Sequence, residues 1–154
     1  MAAAGIQVDV EDASSMPGVP ATPALVHWAV TALATSVREG ELSIRIVGET
    51  EGAALNEQYR HKQGATNVLS FPARLPQGVP LDSFGDLVIC APVVAREAAE
   101  QGKLPDAHWA HMVVHGCLHL LGFDHELEAG AVAMESLETS ILARLGYPDP
   151  YAPR

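Results

Sequence analysis

The segment 108–125, HWAHMVVHGCLHLLGFDH, limits what this chain can become more than any other stretch. Wound as an α-helix from Pro105 and Asp106 to about Leu121, it carries His108, His111, His115 and His119 on one side, because residues three and four apart stack along a helix. That side is a row of imidazoles in place of an apolar stripe. Gly122 ends the helix, as suits a residue that takes a positive φ without penalty. The chain that reverses there can bring His125 back toward the row.

The sharpest part of the pattern is His115-x-x-x-His119-x-x-Gly122-x-x-His125. Two imidazoles at i and i+4 leave one helix turn in the same direction, and can grip one Zn²⁺ at about 2.0–2.1 Å. His125 supplies the third ligand. Three protein ligands leave the fourth tetrahedral position open to water, the arrangement of a catalytic site. His111 and His115 form an alternative i, i+4 pair, but only the turn after Gly122 delivers a third ligand, which favours His119. His108 and His111 then read as groups behind the ligands, as substrate-facing, or as exposed. Three imidazoles suit Ni²⁺ or Cu²⁺ as well.

The spacing matches the ligand layout of metzincin proteases, with one departure. Position 116 is glycine where those enzymes carry the glutamate that serves as general base. Loss of such a base lowers rate by on the order of 10²–10⁴, so peptide cleavage is disfavoured. Asp124, beside His125, reads either as a group that orients a ligand ring or handles a proton, or as a turn residue after Gly122.

Around this helix the sequence alternates strand and helix signals. Ile6–Val10, Leu42–Val47, Thr66–Phe71 and the nearly all-apolar Asp86–Ala91 read as strands, the last suited to the sheet centre. Helices are expected from about Ala24 to Arg38, with Thr22 as N-cap, Pro23 at the first turn and Gly40 as stop. Others are expected from Glu49 to Tyr59, from Pro92 to Gly102, and from Glu126 to Leu145 with Leu127, Met134, Ile141 and Leu145 buried. Residues 75–83 read as a loop and 147–154 as a loose tail. The expectation is one α+β domain over 1–154, a small mixed sheet covered by helices.

The chain has 154 residues, 48% hydrophobic and 18% charged, enough for one core. Its formal net charge of -10 argues against broad attraction to nucleic acid, while leaving room for a local basic groove. No run of 18 apolar residues suggests a membrane span, and the first residues lack the form of a signal peptide. A cytoplasmic location is the expectation. Cys90 and Cys117 each sit in an apolar segment and read as small core residues rather than a disulfide.

HGCLHLLGFDH strongly resembles a signature of the YbeY family of bacterial rRNA-maturation endoribonucleases. LNEQYRHKQGATNVLSFP, Leu55 to Pro72, and GDLVIC, Gly85 to Cys90, resemble two further stretches of that family. The resemblance spans roughly Leu55 to His125. Asn67 stands where many relatives have Asp. The resemblance implies a mostly parallel sheet with a metal cleft like that of zinc proteases. It also implies zinc held by His115, His119 and His125, with Arg60 as the essential basic residue of the cleft. The implied activity is a single-strand-specific RNase acting in 16S rRNA 3′-end maturation and ribosome quality control. A reading from another class is a non-catalytic assembly factor whose zinc site and cleft bind RNA or a ribosomal protein.

Overall fold

The computed structural model describes residues 5–72, 83–123 and 128–152. Four strands, β1 (Gly5–Asp12), β2 (Glu39–Val47), β3 (Val68–Pro72) and β4 (Ser83–Cys90), form one sheet in the order β1-β2-β4-β3. β1 pairs parallel with β2 and β2 parallel with β4, while β3 runs antiparallel to β4 at the edge. Five helices, α1 (Thr22–Leu33), α2 (Glu49–Arg60), α3 (Ala91–Gln101), α4 (Pro105–Leu120) and α5 (Glu128–Arg144), complete the fold. The class is α+β, as the alternating signals indicate.

Strand alternation sorts the core onto two faces. Leu42, Ile44, Ile46, Val68, Leu87 and Ile89 point to the side that buries α1 and α4, in one cluster with Trp28, Leu33, Trp109 and Val113. Val47, Leu69, Val88 and Cys90 point to the other side, where Leu55 of α2 packs. β4, with neighbours on both sides, is the apolar interior strand that DLVIC requires. α5 lies against α4 and contributes Met134, Ile141 and Leu142 to the larger cluster.

Several boundaries depart from the sequence expectation. The residue capping α1 is Ala21, with Thr22 already helical and Pro23 in the first turn. α1 stops at Leu33, five residues short of Arg38, in a turn where Ser36 N–H bonds the Leu33 carbonyl. Gly40 is not a helix stop. It belongs to β2, where its φ of 142° and the Phe84 ring, about 2.5 Å from where a Cβ would stand, leave no room for a side chain. That ring comes from β4, a neighbour that local sequence does not reveal. The tail read as loose is held at two points. Tyr147 meets Trp28 edge-on, with ring centroids 6.1 Å apart, and Tyr151 reaches α5 through its hydroxyl. The expected loop at 75–83 lies almost wholly outside the described residues.

Candidate metal centre

α4 begins at Pro105, which suits a first turn with no N–H partner to lose. It ends as its glycine demands. Gly122 has a φ of 101°, and Phe123 N–H closes the helix onto the Leu118 carbonyl at 3.0 Å. On the sheet side of α4, Gly116 lies so close to β4 and β3 that a Cβ would stand 2.7 Å from Leu87 Cδ2 and 3.2 Å from Val68 Cγ2. The Ser70 hydroxyl donates to the Gly116 carbonyl at 3.2 Å. Position 116 therefore faces the sheet, and a glutamate there would enter the core instead of a cleft. The missing protease base is a packing requirement.

The imidazole row follows the other side of the helix. Successive ring centroids lie 6.2 Å apart for His108 and His111, 6.1 Å for His111 and His115, and 4.7 Å for His115 and His119. The i, i+4 pairing of His115 and His119 is thus realised, and both rings are half-buried. His108 and His111 are not exposed; they retain 2% and 7% of their accessible surface. His108 Nε2 meets Glu97 at 2.9 Å, and Asn67 Nδ2 donates to the same carboxylate. Burial lowers the pKa of His108, and Glu97 opposes that shift.

Sequence reasoning missed the group that organises the row. Glu138 of α5 is fully buried. Its Oε2 accepts from His115 Nδ1 at 2.8 Å and from His111 Nε2 at 3.0 Å, and its Oε1 accepts from the Tyr151 hydroxyl at 2.6 Å. Burial alone would raise this carboxyl above the ordinary 4.5. The bonds from His111, His115 and Tyr151 overcome burial and hold it at about 2. Burial, then the Glu138 carboxylate, pushes the Tyr151 phenol up. One signal was present in the sequence: Glu138 sits between Met134 and Ile141 on the buried stripe of its helix, where a charge requires partners.

His111, His115 and Glu138 present ligand atoms within 4.8 Å of one another, so this cluster could hold a metal ion. Its carboxylate, however, already serves three donors. The His115 ring meets Glu138 through Nδ1. Among the other expected site residues, Asp124 and His125 lie outside the described residues. Arg60 is exposed in the last turn of α2, the helix that packs on the opposite face of the sheet from α4. Beside Arg60, Tyr59 stacks edge-on against Phe71 of β3, with ring centroids 5.0 Å apart. These two rings border a groove of about 800 Å³ on the α2 face, lined also by Glu11, Arg45, Glu51 and Asp86. Arg45 there is paired to Glu11 and Glu51, so the groove is acidic in balance. No helix among the described residues is long and apolar enough to cross a membrane.

Residues 19–146 match the family model described as Endoribonuclease YbeY. A Nitrosococcus oceani protein named Endoribonuclease YbeY is 56% identical over 148 residues, spanning 95% of this chain and 97% of its own. A protein of the same name from Xanthomonas euvesicatoria is 55% identical over 153 residues, spanning 96% and 95%. The solution structure of a Thermotoga maritima protein shares the fold, with a TM-score of 0.58 at 20% identity over 96% of this chain and 99% of that one.

Proposed function

We propose, from the premise that this chain belongs to the YbeY family of endoribonucleases, that it is a zinc-dependent, single-strand-specific endoribonuclease. Its place is 16S rRNA 3′-end maturation and ribosome quality control in the cytoplasm, with rRNA and the ribosome as partners. The observation that carries the metal part is the His115–His119 pair, 4.7 Å between ring centroids, with His115 Nδ1 bound to a buried carboxylate. A carboxylate behind a histidine ligand is the usual support of a zinc site, and two imidazoles one turn apart, with His125 as the third, suit zinc by their chemistry.

Zinc bound there supplies Lewis-acid polarisation of a phosphoryl oxygen and lowers the pKa of water. The protein's own residues do the rest. His115, His119 and His125 hold the ion. Arg60 pairs with the non-bridging phosphate oxygens through its fork of N–H donors and offsets the charge that builds up in the transition state. Asp124 orients His125 or accepts a proton. The ends of the product distinguish attack by water from attack by the neighbouring 2′-hydroxyl, since only the latter leaves a 2′,3′-cyclic phosphate.

The acidic groove and the net charge of -10 are less suited to RNA than to a basic protein, and so favour a second reading, a non-catalytic assembly factor that uses its zinc site and cleft to bind a ribosomal protein or RNA. One experiment separates the two. Purified wild type, His115→Ala and Arg60→Ala are chelated, reconstituted with Zn²⁺, analysed for metal and incubated with single-stranded RNA. Cleavage by the wild type that both variants lose, and that chelation removes, supports the enzyme. Equal cleavage by all three ends that reading.

A further inference from the structure

A carboxylate buried among apolar side chains is expensive to maintain, by several kcal/mol per ion unless hydrogen bonds replace water. Glu138 is fully buried on the same helix that gives Met134, Ile141 and Leu142 to the core. Its hydrogen bonds show what it does. Oε2 accepts from Nδ1 of His115, which places the proton of that ring on Nδ1 and the lone pair on Nε2. The opposite nitrogen, Nε2, of His111 meets the same oxygen at 3.0 Å, so with Glu138 ionised that ring faces the carboxylate as a donor. Oε1 is engaged by Tyr151, which arrives from the C-terminal segment.

That segment is itself anchored. The Asp149 carboxylate accepts from Tyr151 N–H at 2.8 Å and lies 3.4 Å from the Thr139 hydroxyl of α5, which donates more closely, at 2.9 Å, to the Glu135 carbonyl. Tyr147 packs on Trp28 two residues earlier. The hydroxyl of Tyr151 is thus presented to Glu138 by a turn fixed at both ends, and it keeps the carboxylate facing the histidines.

We propose that Glu138 is a positioning residue that sets the tautomer and ring orientation of the metal ligand His115, with Tyr151 locking Glu138 in place. This rests on the zinc reading above and adds to it a carboxylate and a tyrosine from outside the histidine motif. The C-terminal segment thereby belongs to the site.

The test uses the full chain. In metal-free wild type labelled with ¹⁵N-histidine, the ring nitrogen shifts of His115 report the Nδ1–H tautomer. Zn²⁺ affinity is then measured against a competing chelator for wild type, Glu138→Gln, Tyr151→Phe and His119→Ala. Glu138→Gln is expected to weaken zinc by about 10–100-fold, the usual effect of losing the group behind a ligand. Tyr151→Phe, which removes one hydroxyl and little packing, weakens zinc by a smaller factor and keeps the inference testable if Glu138→Gln folds poorly. His119→Ala removes a ligand and weakens zinc more than either.

An Nε2–H tautomer for His115 in the wild type overturns the inference. So does unchanged affinity in Tyr151→Phe and Glu138→Gln while wild type binds zinc, an outcome that leaves the zinc reading standing. Abolished binding in Glu138→Gln with intact binding in His119→Ala also overturns it, because Glu138 would then be a ligand. A wild type that binds no zinc refutes the parent reading, and the inference falls with it.

Discussion

Replacing Gly116 with alanine adds one methyl group to the sheet-facing side of α4, and the structure fixes what that methyl meets. It would stand 2.7 Å from Leu87 Cδ2 and 3.2 Å from both Leu87 Cδ1 and Val68 Cγ2. Leu87 is fully buried and cannot swing aside into solvent. Overpacking of this kind costs about 1–3 kcal/mol, and a contact this short beside a fully enclosed side chain belongs in the upper half of that range. Alanine recovers about 0.8–1 kcal/mol of helix propensity over glycine. The net expectation is a loss of about 1–2 kcal/mol, which for a domain of this size lowers Tm by about 2–8 °C. The assay is urea denaturation of wild type, Gly116→Ala, Leu87→Ala and the double variant. Leu87→Ala alone loses about 2–5 kcal/mol, but it removes the obstructing δ carbons. In that background Gly116→Ala should be neutral or stabilising by up to about 1 kcal/mol, which gives a coupling of about 2 kcal/mol between the positions. A Gly116→Ala protein as stable as wild type, or one with the same penalty in both backgrounds, would refute the claim that close helix–sheet approach dictates this glycine. The same geometry predicts that Gly116→Glu, which restores the protease spacing, yields a destabilised protein without peptidase activity on casein.

Other outcomes follow from the packing. Cys90 and Cys117 are buried free thiols whose pKa values burial pushes up, so neither should react with Ellman's reagent in the native protein and both should react in denaturant. Tyr147→Ala removes the edge-on contact with Trp28 and should cost about 1–2 kcal/mol in urea denaturation, with earlier proteolytic cleavage of the C-terminal segment. His108, lowered by burial below the ordinary 6.5, binds its proton more readily in the unfolded chain. Its contribution therefore makes stability fall as pH drops below about 6.5 and leaves it unaffected above. His108→Gln should flatten that part of the Tm–pH profile, and an unchanged slope would show that His108 does not titrate differently on folding.

Much of the fold could be read locally because its signals are local. The bounds of α2, the first turn of α3 at Pro92 and the glycine stop of α4 all depend on residues within one or two turns. β4 could be read as interior because its unbroken apolar run needs cover on both faces. Features fixed by distant partners could not be read this way. Gly40 is adjacent to a plausible helix end, yet it serves the Phe84 ring from another strand. The early end of α1 reflects the turn through Thr35 and Ser36, and helical periodicity continues past that turn without registering it. In the candidate site, the His115–His119 pair was legible because helix geometry alone brings the two rings together. Glu138 and Tyr151 were not, because they lie 23 and 36 positions beyond His115 and meet it only through α5 and the tail.

Gly116 and Glu138 together explain how a protease-like histidine spacing comes to stand without the protease's glutamate base. In the zinc-protease layout the residue after the first histidine carries the base. Here that position is against the sheet, so the helix gives up its carboxylate to pack closely on Leu87 and Val68. The carboxylate that does touch His115 comes from α5, is fully buried, serves three donors and is held at about 2. A group so acidic and so fully engaged is a poor proton acceptor near neutral pH, where general bases work best with a pKa close to the ambient value. It is well suited to holding a ring still. If the chain works as a zinc-dependent ribonuclease, deprotonation of the attacking oxygen would then depend on the metal and on residues beyond α4 and α5. Phosphodiester cleavage tolerates that better than amide cleavage does, because a leaving alkoxide is far less basic than an amide anion and its charge can be taken up by a cation or by a proton from water.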